Sequence, residues 1–304
     1  MVLCSRYDEG SRTMELSWVM KLRIGAAAAV GVVLIGFLGW QLSEPVATTG
    51  MVRPSGIVTL AILALAAGFI GYFISWPHGK EIGILAAPFG LAVWAMRSGS
   101  MASLMQLYPT AAQRKELIES LRWEPVIWLI IVAAGCVGPL LCWKIFSKAK
   151  PDGKKAVSKA NPVKYLNAVT ALAASAVIAQ FFLRMFAQDV SMRDDQLSSV
   201  VAQPATGQIM FAVFMSFGIA AFVAKKFLGV GYVWSIVSTL FVTVFSLSVY
   251  AKNAVYLTSN WPAAVFSNAV VSVLPVEMVA YGTLGSIAGF WMGIRFDYWR
   301  KHEL

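Results

Sequence analysis

The sequence predicts an all-α integral membrane protein: a polytopic bundle of about eight transmembrane helices with two short interfacial helices. Three observations carry that reading. Apolar residues make up 58% of the chain and charged residues only 13%, about half the charged share of a soluble domain. The apolar residues fall into uncharged blocks of about 20, enough helix to cross roughly 30 Å of hydrocarbon; a spanning barrel would show shorter, alternating segments. Basic residues, finally, gather in every second connection between those blocks, as cytoplasmic loops do.

Taken in order, the first block, Ile24 to Gln41, follows about twenty polar or mixed residues and ends at no small-residue cleavage site. It reads as a retained helix, not a signal peptide, and a start at Met14 or Met20 would leave it intact. The next blocks run from Ile57 to Ser75 and from Ile82 to Met96. The latter is short, interrupted by Pro88 and followed by Arg97. Val126 to Phe146, Val163 to Ala187, Gly207 to Ala224, Gly229 to Tyr250 and Pro275 to Ile294 complete the set.

Two connections read as interfacial helices. From Thr110 to Trp123, Thr110 and Gln113 have capping-box spacing, and Leu117, Ile118 and Leu121 share one side. From Trp261 to Leu274, Asn260 would cap and Pro262 would occupy the first turn. Lying on one face, these two elements could be a lid, spacers or a docking surface.

Eight crossings place the N-terminus, the loops after spans two, four and six, and the C-terminus on one side. That side holds 17 of the 25 Lys and Arg residues, against 8 on the other. The positive-inside rule makes it cytoplasmic. The expected setting is a bacterial plasma (inner) membrane with both termini in the cytoplasm. The expected organisation is a cytoplasmic segment (1–23), four spans (24–146), a basic linker (147–162), four more spans (163–294) and a cytoplasmic tail (295–304). Ser147 to Lys164 carries six lysines with Pro151, Gly153 and Pro162, which suits a flexible linker that signals topology or rests on anionic lipid. No repeat relates the two halves. The closing Lys301-His302-Glu303-Leu304 resembles a lumenal retrieval signal only by chance, since it falls on the cytoplasmic side.

The composition excludes more chemistry than it suggests. A net charge of +10 would suit nucleic acid, but the cations sit in short loops beside apolar spans, so no nucleic-acid partner is expected. The only histidines are His78 and His302, both in cytoplasmic segments, which removes bis-histidine haem and histidine-dependent intramembrane catalysis. Cys4, Cys136 and Cys142 form no metal-spaced pair and read as packing residues. No cofactor, metal or catalytic residue is assigned, and the chain is not read as an enzyme.

Four positions are candidates for a polar pathway or a buried pair. Glu277, two residues after Pro275, either caps the last helix or, if that helix begins near Pro262, lies deeper and handles a proton or cation. Gln180 and Arg184 share one face of the fifth span near its end, where Arg184 can snorkel. Arg97 either ends the third span at the interface or, in a discontinuous helix continuing through Met101 to Leu107, lies inside the bundle. There it would need a carboxylate, Glu277 first and Glu124 second. Ser235, Ser238, Thr239, Thr243 and Ser246 recur at helical spacing, as a polar path or as interhelical hydrogen bonding.

Gly285, Gly289 and Gly293, with Gly282 and Ala288, form overlapping G-x-x-x-G units on the last span. They can seat a helix of the same chain, a second copy or a membrane protein partner. The partners expected are membrane lipids and whatever meets that glycine face. Two functions from different classes stand open: a transporter or channel-like protein for a small solute or ion, and a non-catalytic integral membrane subunit or scaffold of a larger complex.

Overall fold

The computed structural model describes residues 18–46, 51–146, 162–188, 191–192, 200–252, 257 and 262–302. The expectations for Cys4, the start codon, the basic linker after 146, the Asn260 cap and the final two residues lie outside the described residues. The described residues form ten helices and three very short strands. The helices are α1 (Trp18–Ser43), α2 (Pro54–Ile74), α3 (Gly79–Arg97), α4 (Met101–Gln106), α5 (Ala111–Leu121) and α6 (Glu124–Phe146), then α7 (Pro162–Ala187), α8 (Thr206–Leu228), α9 (Val233–Lys252) and α10 (Pro275–His302). Seven of these segments are long and apolar enough to cross a membrane: α1, α2, α3, the α5–α6 stretch, α7, α8 and α9.

Local chemistry sets the boundaries. Pro54 and Pro275 open α2 and α10, where the missing N–H costs no hydrogen bond. Thr110 and Gln113 form the expected capping box on α5, each accepting from the other's backbone N–H at 3.3 and 3.2 Å. Leu117, Ile118 and Leu121 are buried as the pattern requires. Gly99, at φ 93°, turns the chain between α3 and α4, and Ser100 caps α4 through Ser103. Val32 to Gly39 in α1 winds as a π-helix, a wider coil than the α-helix around it.

The second expected interfacial helix is not there. Among the described residues Val265–Phe266 is a strand, and the chain from 267 to 273 runs in turns and bends. Asn268 Oδ1 accepts from the N–H groups of Val270 and Val271 at 3.0 and 3.3 Å. An Asx turn of this kind offers the backbone an alternative to helix. The valines that follow are buried on every side, so an amphipathic face is not what this segment presents. Strands β1 (Ser191–Met192), β2 (Val200–Ala202) and β3 (Val265–Phe266) form one antiparallel sheet in that order, at the end of the bundle that also carries α4 and α5.

Helices α1, α2, α3 and α6 pack mainly on one another, as do α7, α8, α9 and α10. The main core is one continuous apolar cluster through both groups, with a small second cluster of Ala187, Val201, Ala212 and Ala269. The centre is α10, which packs on α3 and α6 of the first group and on α8 and α9 of the second. Every residue from 269 to 287 is buried. A helix surrounded by protein need not match the hydropathy of one facing lipid, which explains why the N-terminal half of α10 carries Glu277, Tyr281, Thr283 and Ser286.

Candidate functional site: a carboxyl at the seam

Glu277 occupies the first turn of α10. Leu274 N–H donates to its Oε2 at 3.0 Å, the backbone half of a capping box. The helix begins at Pro275 and not near Pro262, as the capping reading requires, yet Glu277 is only 1% exposed. Its side chain makes no second hydrogen bond and meets no cation among the described residues. A carboxylate at a helix N-terminus gains roughly 0.3–1 kcal/mol, at most about 2, from the dipole. Removing an ion from water costs several kcal/mol even after relaxation. Capping alone is thus too small to compensate an ionised Glu277.

One turn further along the same face, the Tyr281 hydroxyl donates to the Ala92 carbonyl of α3 at 3.2 Å. This bond joins the two helix groups and identifies the side of α10 that carries Glu277 as the seam. A second bridge lies beside it. Ala102 N–H of α4 donates to Gln203 Oε1 at 3.2 Å, and Gln203 Nε2 donates to Ser272 O at 3.2 Å. Sequence reasoning missed both Gln203 and Tyr281. Tyr281 was detectable from its i+4 spacing to Glu277; Gln203, in the loop after β2, had no pattern to mark it.

The other candidates do not join this site. Arg97 is exposed and turned to α1, with its guanidinium 5.0 Å from the Trp40 ring and 5.8 Å from Phe37. Its Nη1 donates to Gly36 O at 3.4 Å, within the π-helical stretch. Arg97 thus lies outside the buried core, and among the described residues no ion pair joins it to Glu277. Glu124 begins α6 and lines a cleft of about 170 Å³ with Met51, Ile57, Trp123 and Trp128, whose wall includes nothing from α7 to α10. Gln180 Nε2 donates to Ser246 Oγ at 3.4 Å, tying α7 to α9, while Arg184 one turn on is exposed.

The hydroxyl stripe on α9 is buried and engaged. Ser238, Thr239 and Thr243 donate to carbonyls three or four residues back, and Ser235 Oγ lies 2.9 Å from Ser175 Oγ of α7. In contrast, Thr283 and Ser286 of α10 and Ser216 of α8 are fully buried with no hydrogen-bond partner. The glycine face is occupied from within the chain. A Cβ at Gly285 or Gly289 would fall inside the carbonyl oxygens of Phe214 or Gly218 on α8, Gly293 lies against Lys225, and Gly282 lies against Thr239 and Phe217. Of the three occupants the sequence left open, the fold places a helix of the same chain there. Cys136 and Cys142 are free, the latter buried with Sγ 3.9 Å from Phe69 O.

Fold and site together define a polytopic helical membrane protein with one nearly inaccessible carboxyl where two helix groups meet. No protein-family model matches the chain, and neither a curated protein nor a solved structure is similar to it.

Proposed function

We propose that this protein is a transporter or channel-like protein of a bacterial plasma (inner) membrane, moving a small solute or ion along the seam beside α10. The reading includes eight crossings, with α10 as the eighth and both termini in the cytoplasm. The observation that supports it is Glu277, a charge-capable group kept in the bundle with no counter-charge among the described residues. Ionisable residues at such depth mark ion and proton paths in helical membrane proteins. The unpartnered hydroxyls of Thr283, Ser286 and Ser216 add hydrogen-bonding groups for a passing solute.

The test needs no known substrate. In a cysteine-free background, Thr283→Cys and Ser286→Cys are expected to react with a membrane-impermeant thiol reagent applied to proteoliposomes, with access changing between the two sides. Inertness from both sides would sink the transport reading. A C-terminal reporter fusion checks the topology: a periplasmic signal would remove the eighth crossing.

One observation favours a second reading, the non-catalytic subunit or scaffold. Apolar packing continues unbroken from one helix group to the other, as it would in a static element. A companion protein retained at fixed ratio through purification supports that reading, and a lone, monodisperse particle opposes it.

A further inference from the structure

Resting on the transport reading, we propose that Glu277 is a reversible proton-binding site, so that the ion handled at the seam is a proton and not a metal cation.

The argument begins with ligand number. Hard cations collect about six or more oxygens. The one hydrogen bond to the Glu277 side chain is from Leu274 N–H, and the polar groups that bridge to the first helix group are engaged with one another: Ser272 O accepts from Gln203, Gln203 Oε1 accepts from Ala102 N–H, and the Tyr281 hydroxyl donates to Ala92 O. The residues that flank Glu277 in sequence are largely hydrocarbon, with Val270, Val271, Val273, Val276 and Met278 all buried. No group of three or more metal-ligating side chains occurs among the described residues. A proton needs one oxygen, and Leu274 N–H occupies only Oε2.

Among the described residues, the charged groups on the elements packed against α10 leave Glu277 uncompensated. On α3, Arg97 lies over Trp40 and Phe37. On α6, Glu124 lines the separate cleft. Lys225 and Lys226 of α8 lie at the opposite end of the bundle against Phe290 and Phe296, and Lys252 of α9 is exposed. On α10 itself, Tyr281 is the next titratable group.

The closed seam leaves the carboxyl 1% exposed and without counter-charge among the described residues, and the group carries its proton. Opening the seam breaks the Tyr281–Ala92 and Gln203–Ala102 hydrogen bonds and admits water. The carboxyl then transfers its proton to a water or buffer base on the open side and is left as carboxylate. Reclosure requires a proton to be taken up again, which links seam movement to proton binding.

The test is labelling of the full-length protein in phospholipid vesicles with dicyclohexylcarbodiimide, which reacts with protonated carboxyls in apolar surroundings. Peptide mass spectrometry reads the site. Glu277 is expected to label, at a rate falling about tenfold per pH unit above its titration point, as the protonated fraction does. Sodium or potassium ions at constant pH leave that rate unchanged. Tyr281→Phe, which keeps the ring and removes one seam bond, is expected to label at least as fast, and Glu277→Gln loses the label from that peptide only. Labelling that ignores pH, or no labelling at any pH, overturns the proposal. Protection by sodium or potassium also overturns it, in favour of a cation site, and leaves the transport reading standing. That reading fails separately, if the Thr283→Cys and Ser286→Cys variants both stay inert to the impermeant thiol reagent.

Discussion

In the first helix group glycine close packing is spread over several helix pairs; in the second it is concentrated mainly in one, and polar side chains tie the rest. A Cβ at Gly31 of α1 would meet the Ala86 backbone of α3, and one at Gly90 would meet Gly31. The α2–α6 pair repeats the device, with Gly68 against Gly135 and Pro139, and Gly138 against Leu65 and Phe69. Pro139 has no N–H for the Gly135 carbonyl four residues back, and that carbonyl is the one that packs on Gly68. In the second group, α8 and α10 share the Gly285–Gly289 seam, while α7 and α9 meet through Ser175–Ser235 and Gln180–Ser246. Backbone proximity suits contacts that do not slide, and hydroxyl pairs are individually weak in membranes. The first group is thus joined largely through backbone contacts, whereas in the second α10 is joined in that way to α8 and α9 is tied to α7 by side chains.

The largest effect that can break this comparison is Gly289→Leu, which puts side-chain atoms where the Gly218 backbone lies. Overpacking commonly costs about 1–3 kcal/mol, and more when backbone is the obstacle. Loss of a monodisperse particle, or a large drop in thermal stability, is the expected outcome. Gly31→Leu is expected to be as severe in the first group. Gly218→Ala provides the contrast, because its nearest neighbour is 3.4 Å away, an ordinary contact. If Gly218→Ala were as damaging as Gly289→Leu, the directional fit of the seam would be wrong.

Much of this fold was legible because membrane helices announce themselves by length. Val126 to Phe146 against Glu124–Phe146 and Val163 to Ala187 against Pro162–Ala187 differ by one or two residues. The capping box at Thr110 and the break before Met101 rest on local chemistry and were legible for that reason. What failed depends on distant partners. Strands of two or three residues pair across a long stretch of chain and leave no periodicity to find. The stretch before Leu274 had suitable composition for a surface helix, yet its valines are buried in the apolar core. The glycines of α1, α2, α3 and α6 escaped notice because each motif is split between two helices, unlike the run on α10. At the site, Glu277 was singled out by its charge, but its freedom from Arg97 and Arg184 depends on how separate helices turn.

An intermediate effect tests the polar ties. Ser235→Ala removes one member of a fully buried pair and is expected to cost about 1 kcal/mol. A double-mutant cycle with Ser175→Ala should give a coupling near 0.6 kcal/mol and below about 1.7 kcal/mol, the range for such pairs in membranes. Reversible unfolding in mixed micelles measures both. A coupling of zero would leave α7 and α9 joined by packing alone and would erase the contrast with the glycine seams.

The smallest effect concerns Arg97 and is the most diagnostic for the site. Its guanidinium is exposed, stacks near Trp40 and makes one long hydrogen bond to Gly36 O. Arg97→Gln should therefore cost only about 0.5–1 kcal/mol, the worth of an exposed cation–π contact. If Arg97 instead neutralised Glu277, removing it would strand a buried carboxylate and cost about 3–5 kcal/mol. The sharper measurement is the cycle with Glu277→Gln. Sites that share no partner add within about 0.3–0.5 kcal/mol, so the double variant should equal the sum of the singles to that precision. The same additivity is expected when Arg184→Gln replaces Arg97→Gln, since Arg184 faces solvent or lipid at the end of α7. A coupling above about 1 kcal/mol in either cycle would identify a counter-ion for Glu277, move that arginine into the seam, and remove the isolation on which the proton site depends.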